Sequence, residues 1–212
     1  MDHDYDLDIA GCTHVRSYRE EAAIIFSALD CILNGEKGIY ASSELTTGRR
    51  AYGLFDEHGV RNGHELREKI GEDPHRSLIL APNIEAAADF ARRLRERFGG
   101  TELVITPAPF EAPGWTQAEY LNFWETLVRT RTKAVYFNEA WQYSNGCTFE
   151  FVVARDAGVP TFDAQGEPLD LERGIRQVAR AVAELVSRGL APTRLQAHLA
   201  RLEEMRAPAG SS

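Results

Sequence analysis

The sequence lacks the cysteine and histidine patterns that hold metal ions or build disulfide frameworks. Its three cysteines are an odd number with no Cys-x-x-Cys pair, and its six histidines are scattered. Such sparse, widely spaced cysteines are typical of a reducing compartment, and the scattered histidines give no metal-ligand spacing. We therefore expect a cytoplasmic protein that needs neither a metal nor a redox cofactor.

The chain also lacks a surplus of basic residues and a long apolar run. Its net charge is -8, which does not favour binding to nucleic acid. No apolar run approaches the roughly 20 residues needed to cross a bilayer. The opening residues MDHDYDLD are acidic, the reverse of a signal peptide's first region. We expect partners that are neither nucleic acids nor membranes.

The length and composition predict one main domain. A chain of 212 residues, 43% of them hydrophobic, suits a single α/β domain. We predict a flexible N-terminus over 1–16, the domain over 17–206 and a disordered tail over 207–212. Within the domain, the polar, glycine-rich stretch 51–76 is predicted to be a surface insertion with a short helix at 64–70.

Apolar periodicity predicts helices that alternate with strands. Ser17 and Glu20 have the spacing of a capping box at the start of an N-terminal helix. Predicted strands cover 38–42, 77–82, 102–110, 133–141 and 159–164. Further helices are predicted over 84–98, 116–129, 147–157 and 171–189 and from 193 onward, with Asn83, Thr116 and Thr193 as N-caps. This alternation favours a three-layer α/β fold, flavodoxin- or Rossmann-like, with a central parallel sheet of about five strands and helices on both faces.

Polar loops follow three of these strands. In parallel sheets, ligands bind at the carboxyl ends of the strands. The loops 42–50, 106–115 and 139–150 would meet there and form one site. The first loop contains several hydroxyl groups, a glycine and an arginine, in the form of Ser42, Ser43, Thr47, Gly48 and Arg49. This composition is typical of an anion pocket, although a solvated turn explains it equally well.

The stretch SNGCTFEF places a carboxylate near the start of a helix. A helix beginning near Cys147 would hold Glu150 in its first turn, where the helix dipole favours an ionised side chain. An ionised, positioned carboxylate suits a nucleophile that attacks a glycosidic bond. A glutamate that merely complements the dipole is the alternative. Glu125 is a candidate second acid that protonates a leaving group, or else a surface charge.

Aromatic residues flank the same loops. They are Trp115, Tyr120, Trp124, Trp141 and Tyr143. A planar base could stack between such rings, whereas core packing between helix and sheet is the alternative. We favour core packing for Trp124 and a role in the site for Trp141, because Trp141 lies just beyond a predicted strand.

The segment AWQYSNGCTFEFVVARDAGVPTF resembles the signature of the nucleoside 2-deoxyribosyltransferase-like superfamily. The residues in register with that signature are Trp141, Ser144, Gly146, Glu150, Ala154, Gly158 and Pro160. IYASSELTTG is similar to the N-terminal strand and loop of the same superfamily, and together the matching regions cover residues 38–50 and roughly 102–162. The superfamily includes deoxyribosyltransferases and hydrolases that cleave the N-glycosidic bond of nucleotides.

The resemblance implies a role for each matching residue. Glu150 would be the nucleophile, and Glu125 would bind the sugar or protonate the base. Ser144 would hold a 5'-phosphate or 5'-hydroxyl beside Gly146, with help from the loop 42–50. The resemblance also implies a homodimer or larger homo-oligomer.

The sequence is compatible with several functions. Arg49 and Arg50 favour hydrolysis of a nucleoside 5'-monophosphate over deoxyribosyl transfer. A nucleotide sensor without catalytic activity and a flavin-binding protein are alternatives from other classes.

Overall fold

A computed structural model of the protein describes residues 17–206. The predicted flexible N-terminus and disordered tail lie outside this range. The chain divides into two compact units, the first ending at Gly35 and the second beginning at Glu36. In the first unit, helix α1 (Tyr18–Leu33) begins with the predicted capping box of Ser17 and Glu20. It ends at Asn34, which adopts the left-handed conformation with φ 50°.

The second unit holds a four-stranded, all-parallel sheet surrounded by helices. Its strands are β1 (Gly38–Ser42), β2 (Val104–Ile105), β3 (Thr132–Phe137) and β4 (Thr161–Phe162). Its α-helices are α2 (Arg49–His58), α3 (Gly63–Ile70), α4 (Glu72–His75), α5 (Ala81–Arg97), α6 (Gln117–Arg131), α7 (Asn145–Asp156), α8 (Leu171–Ser187) and α9 (Thr193–Arg206). A π-helical segment, Arg76–Leu80, joins α4 to α5, and a short 3-10 turn, Trp141–Tyr143, precedes α7.

The strand order is β2-β1-β3-β4. It corresponds to the first four strands of the flavodoxin-like order, whose ligand crevice lies between β1 and β3. Ser42 at the end of β1 is in register with Phe137 at the end of β3. The loops that follow these two strands therefore leave the same edge of the sheet side by side.

The side chains of β1 alternate between two environments. Ile39 and Ala41 belong to an apolar cluster with Phe90 and Ala91 of α5. Tyr40 and Ser42 point away from that cluster, because successive strand residues face opposite sides. Both make hydrogen bonds to α7, as described below. One short strand thus supplies apolar contacts on one face and polar contacts on the other.

The predicted strand 77–82 is wrong, and this leaves the sheet with four strands in the described part of the chain. The segment is helical and runs directly into α5. A short apolar run fits a strand or a buried helix equally well by periodicity. The predicted N-cap at Asn83 is wrong for the same reason, because α5 begins at Ala81 and Asn83 lies inside it.

The stretch 51–76, predicted to be a surface insertion, is largely helical and contributes side chains to the core. It contains α3, close to the predicted short helix, and most of α2. Tyr52, Phe55 and Leu66 from these helices are buried in a cluster with Leu185 of α8. Among residues 17–206, no helix combines the length and apolar character needed to cross a membrane.

Candidate functional site

Glu150 is held at the end of the sheet by two hydroxyl groups. Its Oε1 accepts a hydrogen bond from the Tyr40 hydroxyl at 2.7 Å. Its Oε2 accepts one from Ser42 Oγ at 2.6 Å. Both donors lie on the same face of β1, and only 7% of the glutamate is exposed. Because each carboxyl oxygen has its own donor, the orientation of the side chain is fixed.

The predicted position of Glu150 in the first turn of its helix is wrong. Helix α7 begins at Asn145, so Glu150 lies in the second turn. The effect of the helix dipole fades beyond the first turn, and burial dominates instead. Burial raises the pKa of Glu150 to about 7, against the opposing effect of the hydrogen bonds from Ser42 and Tyr40. The expectation of a fully ionised side chain at neutral pH is therefore corrected to a mixture of both forms.

A cavity of about 660 Å³ opens beside Glu150. This size lies within the range of roughly 300–1,000 Å³ that is usual for small-molecule sites. Its apolar lining comes from Leu45, Leu80, Ile84, Pro107, Ala108, Phe110, Leu121, Trp124, Phe149 and Ala197. Its polar lining comes from Ser43, Thr46, Thr47, Glu111, Gln117, Tyr120, Ser144, Asn145, Glu150, Arg194 and His198, with Gly146 at the helix start.

The first turn of α7 forms one end of this cavity. Ser144 is the N-cap, and its Oγ accepts from the backbone N–H of Cys147 at 3.3 Å. Thr47 Oγ1 accepts from the backbone N–H of Asn145 at 3.0 Å. The loop after β1 is thereby attached to the start of α7, which brings the first and third predicted loops together.

Two polar atoms at this end have no hydrogen-bond partner within residues 17–206. They are Ser43 Oγ and Asn145 Oδ1, both fully buried. Buried polar atoms in proteins are almost always hydrogen-bonded, and an unpaired one calls for an explanation. Both residues line the cavity, so they are candidate partners for a polar group of a ligand bound there.

Aromatic rings form the opposite wall. The Phe110 ring lies 5.3 Å from that of Trp124, which in turn lies 5.9 Å from the ring of Tyr40. Our assignment of the two tryptophans is reversed in the structure, where Trp124 lines the cavity. Trp141 is 3% exposed and its indole N–H donates to Gln177 at 2.9 Å. The cavity is therefore lined by the ring of a residue that we assigned to the core.

Several predicted site residues come together, and others do not. Those at the cavity are Ser43, Thr47, Ser144, Gly146 and Glu150, with Ser42 behind Glu150. Gly48, Arg49, Glu125 and Trp141 do not line it. The Arg49 guanidinium lies over the Tyr143 ring at 5.1 Å, and Arg50 Nε donates to Asn83 Oδ1 at 3.3 Å.

Gly48 has a conformational role. Its φ of 138° is unfavourable for other residues, and a Cβ there would lie 1.9 Å from Glu44 Oε2. Gly48 thus shapes the loop after β1.

Glu125 is engaged on the surface side of α6. Its Oε1 accepts from Arg129 Nε at 2.9 Å, and Arg129 also contacts Asp156 at 2.6 Å. The structure therefore places this carboxylate in a partly exposed ion-pair network.

Comparison with protein-family models, with curated proteins and with solved structures found no match. Among the described residues, no cluster of three or more His, Cys, Asp or Glu side chains could hold a metal ion.

Several residues at or next to the site were not identified from the sequence, among them Tyr40, Asn83, Arg194 and His198. Tyr40 could have been found, because Tyr40 and Ser42 are polar residues two positions apart in an otherwise apolar strand. Arg194 and His198 come from α9, far away in the sequence, and no local pattern indicates them. Asn83 supports the site indirectly, since its amide donates to the Leu45 carbonyl at 2.8 Å.

Cys147 is another buried ionisable residue near the site. It is 1% exposed, and burial raises the pKa of its thiol well above its ordinary value. A protonated thiol is a weak nucleophile. Cys147 therefore serves as an apolar core residue next to Glu150 and does not compete with it.

Proposed function

We propose that the protein hydrolyses the N-glycosidic bond of a nucleoside 5'-monophosphate and releases the free base and the sugar phosphate. The observation that carries the proposal is the Glu150 carboxyl group, which is buried, oriented by Tyr40 and Ser42, and in contact with a nucleotide-sized cavity. The aromatic wall around Trp124 suits a planar base. The hydroxyl-rich end around Ser144 suits a sugar phosphate.

The proposed reaction has two steps. In its ionised form, a Glu150 oxygen attacks C1' of the sugar while the bond from C1' to the base nitrogen breaks. The base leaves with the bonding electrons and takes up a proton. Water then attacks C1' of the glycosyl ester, gives up a proton, and restores the carboxylate. Release to a second base in place of water would make the protein a deoxyribosyltransferase.

Incubation with a panel of nucleosides and their 5'-monophosphates tests the proposal. We expect chromatography to detect free base from at least one monophosphate, with no release by the Glu150→Gln variant. A new nucleoside on addition of a second base would indicate transfer. Binding of the panel without any base release over hours would contradict hydrolysis and favour a nucleotide sensor.

Replacing Glu125 should have little effect on turnover. In Glu125→Gln, the ion pair with Arg129 is lost, but this pair is partly exposed and does not line the cavity. We expect kcat to change by less than about 3-fold and stability by at most roughly 1 kcal/mol. Steady-state kinetics and urea unfolding measure both. A fall in kcat of about 100-fold with unchanged KM would instead restore Glu125 as the proton donor.

Filling the space at Gly146 should block the ligand without unfolding the protein. A Cβ at this position would meet only Ser144 Oγ, at 3.8 Å, which is an ordinary contact. A leucine side chain would extend into the cavity. For Gly146→Leu we expect nucleotide affinity to fall at least about 10-fold by calorimetry, with the melting temperature changed by at most about 4 °C.

Gly53→Leu is the matched control for this substitution. Gly53 is an exposed helical glycine with open space around its Cβ position, and it does not line the cavity. Its replacement should leave nucleotide affinity unchanged. Equal affinities in the two variants would mean that ligands do not occupy the end of the cavity near α7.

A further inference from the structure

The cavity contains one basic group with a permanent charge. Of the described residues that line it, only Arg194 and His198 have basic side chains. Burial and the nearby Arg194 charge lower the pKa of His198, which favours the neutral imidazole. The positive charge at neutral pH therefore comes from Arg194, on the first turn of α9.

Arg194 has no hydrogen bond or ion pair with another residue of the described range 17–206. Its charge acts on His198, which shares the same face of α9. Other arginines near the site are engaged, since Arg49 lies over Tyr143 and Arg50 bonds Asn83. A guanidinium that lines a cavity without a carboxylate partner can bind an anionic ligand there.

Arg194 and the start of α7 line the same cavity. Tyr143, just before α7, belongs to the same buried cluster as Leu195 at the start of α9. Further along the two helices, the rings of Phe149 and His198 lie 6.0 Å apart. Helices α7 and α9 therefore pack together beside the cavity.

The cavity also supplies neutral donors. Ser43 is 6% exposed, and its buried Oγ has no partner in the described part of the chain. The hydroxyl groups of Thr47 and Ser144 line the same cavity. A phosphate monoester presents several strong acceptor oxygens and about two negative charges. An arginine and several hydroxyl groups that line one cavity match these oxygens and charges.

We propose that Arg194 is the residue that selects a 5'-phosphorylated substrate over the corresponding nucleoside. The inference deepens the proposed function and rests on it for the identity of the ligand. The selectivity comes from α9 rather than from Arg49 and Arg50, which the sequence favoured. The guanidinium contacts the phosphate and no reacting atom, so Arg194 determines specificity and is not a catalytic residue.

Calorimetric binding in the Glu150→Gln background tests this role without turnover. The probes are the common nucleoside 5'-monophosphates and the matching nucleosides. We expect Arg194→Ala to weaken binding of the monophosphates by about 10- to 100-fold and to change nucleoside binding by less than about 2-fold. Arg201→Ala is the matched control on the same helix, because Arg201 is exposed and pairs with Glu204.

Each other outcome overturns the assignment. Equal loss for nucleosides and monophosphates would make Arg194 a structural residue. Unchanged monophosphate binding, or a loss in Arg49→Ala instead, would place the phosphate elsewhere. If the Glu150→Gln protein bound monophosphates no better than nucleosides, the proposal that the cavity has a phosphate site would be contradicted.

Cleavage assays on the otherwise unaltered protein separate this inference from the proposed reaction. Binding that depends on Arg194 without any base release would contradict hydrolysis and retain the phosphate assignment. Base release from monophosphates that is indifferent to Arg194→Ala would retain hydrolysis and contradict the assignment.

Discussion

Replacing Glu150 by glutamine is expected to abolish base release and to stabilise the folded protein above neutral pH. Glutamine keeps the size of the side chain, and the hydroxyl groups of Tyr40 and Ser42 can accept as well as donate hydrogen bonds. It cannot act as a nucleophile or ionise. We expect kcat to fall by at least about 1,000-fold, as for other catalytic nucleophiles.

The gain in stability follows from the raised pKa of Glu150. Its pKa is about 7 in the folded protein and 4.5 ordinarily, so the folded state binds the proton more tightly. The resulting stability is fully present below pH 4.5 and is lost as pH rises through about 7. At pH values above about 7, the difference between the two pKa values lowers the free energy of unfolding by roughly 3 kcal/mol. Glutamine avoids this loss because it stays neutral.

Urea unfolding at pH 5 and pH 8 measures the effect. Glu150→Gln should exceed the unaltered protein by up to roughly 3 kcal/mol at pH 8 and by much less at pH 5. Glu125→Gln is the control, since its carboxylate is partly exposed and paired with Arg129. If Glu150→Gln were less stable than the unaltered protein at pH 8, burial of the ionised Glu150 carboxylate would not destabilise the folded state.

Glu150 could be identified as a candidate from the sequence, but its environment was predicted incorrectly. The segment around Glu150 follows a strand and starts a helix, so its place at the edge of the sheet could be predicted. The pKa could not, because it depends on burial by distant residues. Tyr40 and Ser42 lie more than 100 positions away and contact Glu150 only in the folded chain.

The errors in the predicted fold have local causes. The run 77–82 is too short to separate a strand from a buried helix by periodicity. The stretch 51–76 is polar overall, so the helical spacing of Tyr52 and Phe55, which lie on the buried side of α2, was not recognised. Packing against α8 decides both outcomes, and no local pattern contains that information.

The cavity itself was the least predictable feature. Its basic group comes from α9, whose sequence resembles any amphipathic surface helix. Its aromatic wall uses Trp124, whose position within a helix favoured the core. The positions of Arg194 and Trp124 at the cavity depend on how α9 and α6 pack against α7.

Removing the Tyr40 hydroxyl is expected to shift the pH dependence of the reaction. In the proposed reaction the attacking form of Glu150 would be the carboxylate, so kcat/KM should rise with pH through the pKa of Glu150, near 7. The Tyr40 hydroxyl stabilises the carboxylate through its 2.7 Å hydrogen bond. In Tyr40→Phe the pKa of Glu150 should therefore rise further. A hydrogen bond to a charged group contributes roughly 1.5–3 kcal/mol, which predicts a shift of about 1–2 pH units.

The shape of the profile separates this effect from structural damage. At pH 7 the variant should lose activity by about 5- to 50-fold, and most of the loss should be recovered near pH 9. Ser42→Ala should shift the profile in the same direction, because Ser42 donates to the other oxygen. Tyr136→Phe is the control, since Tyr136 packs in the cluster on the other face of the sheet. A uniform loss at all pH values in Tyr40→Phe would mean that Tyr40 only fills space, and the pKa of Glu150 would then have to be set by burial alone.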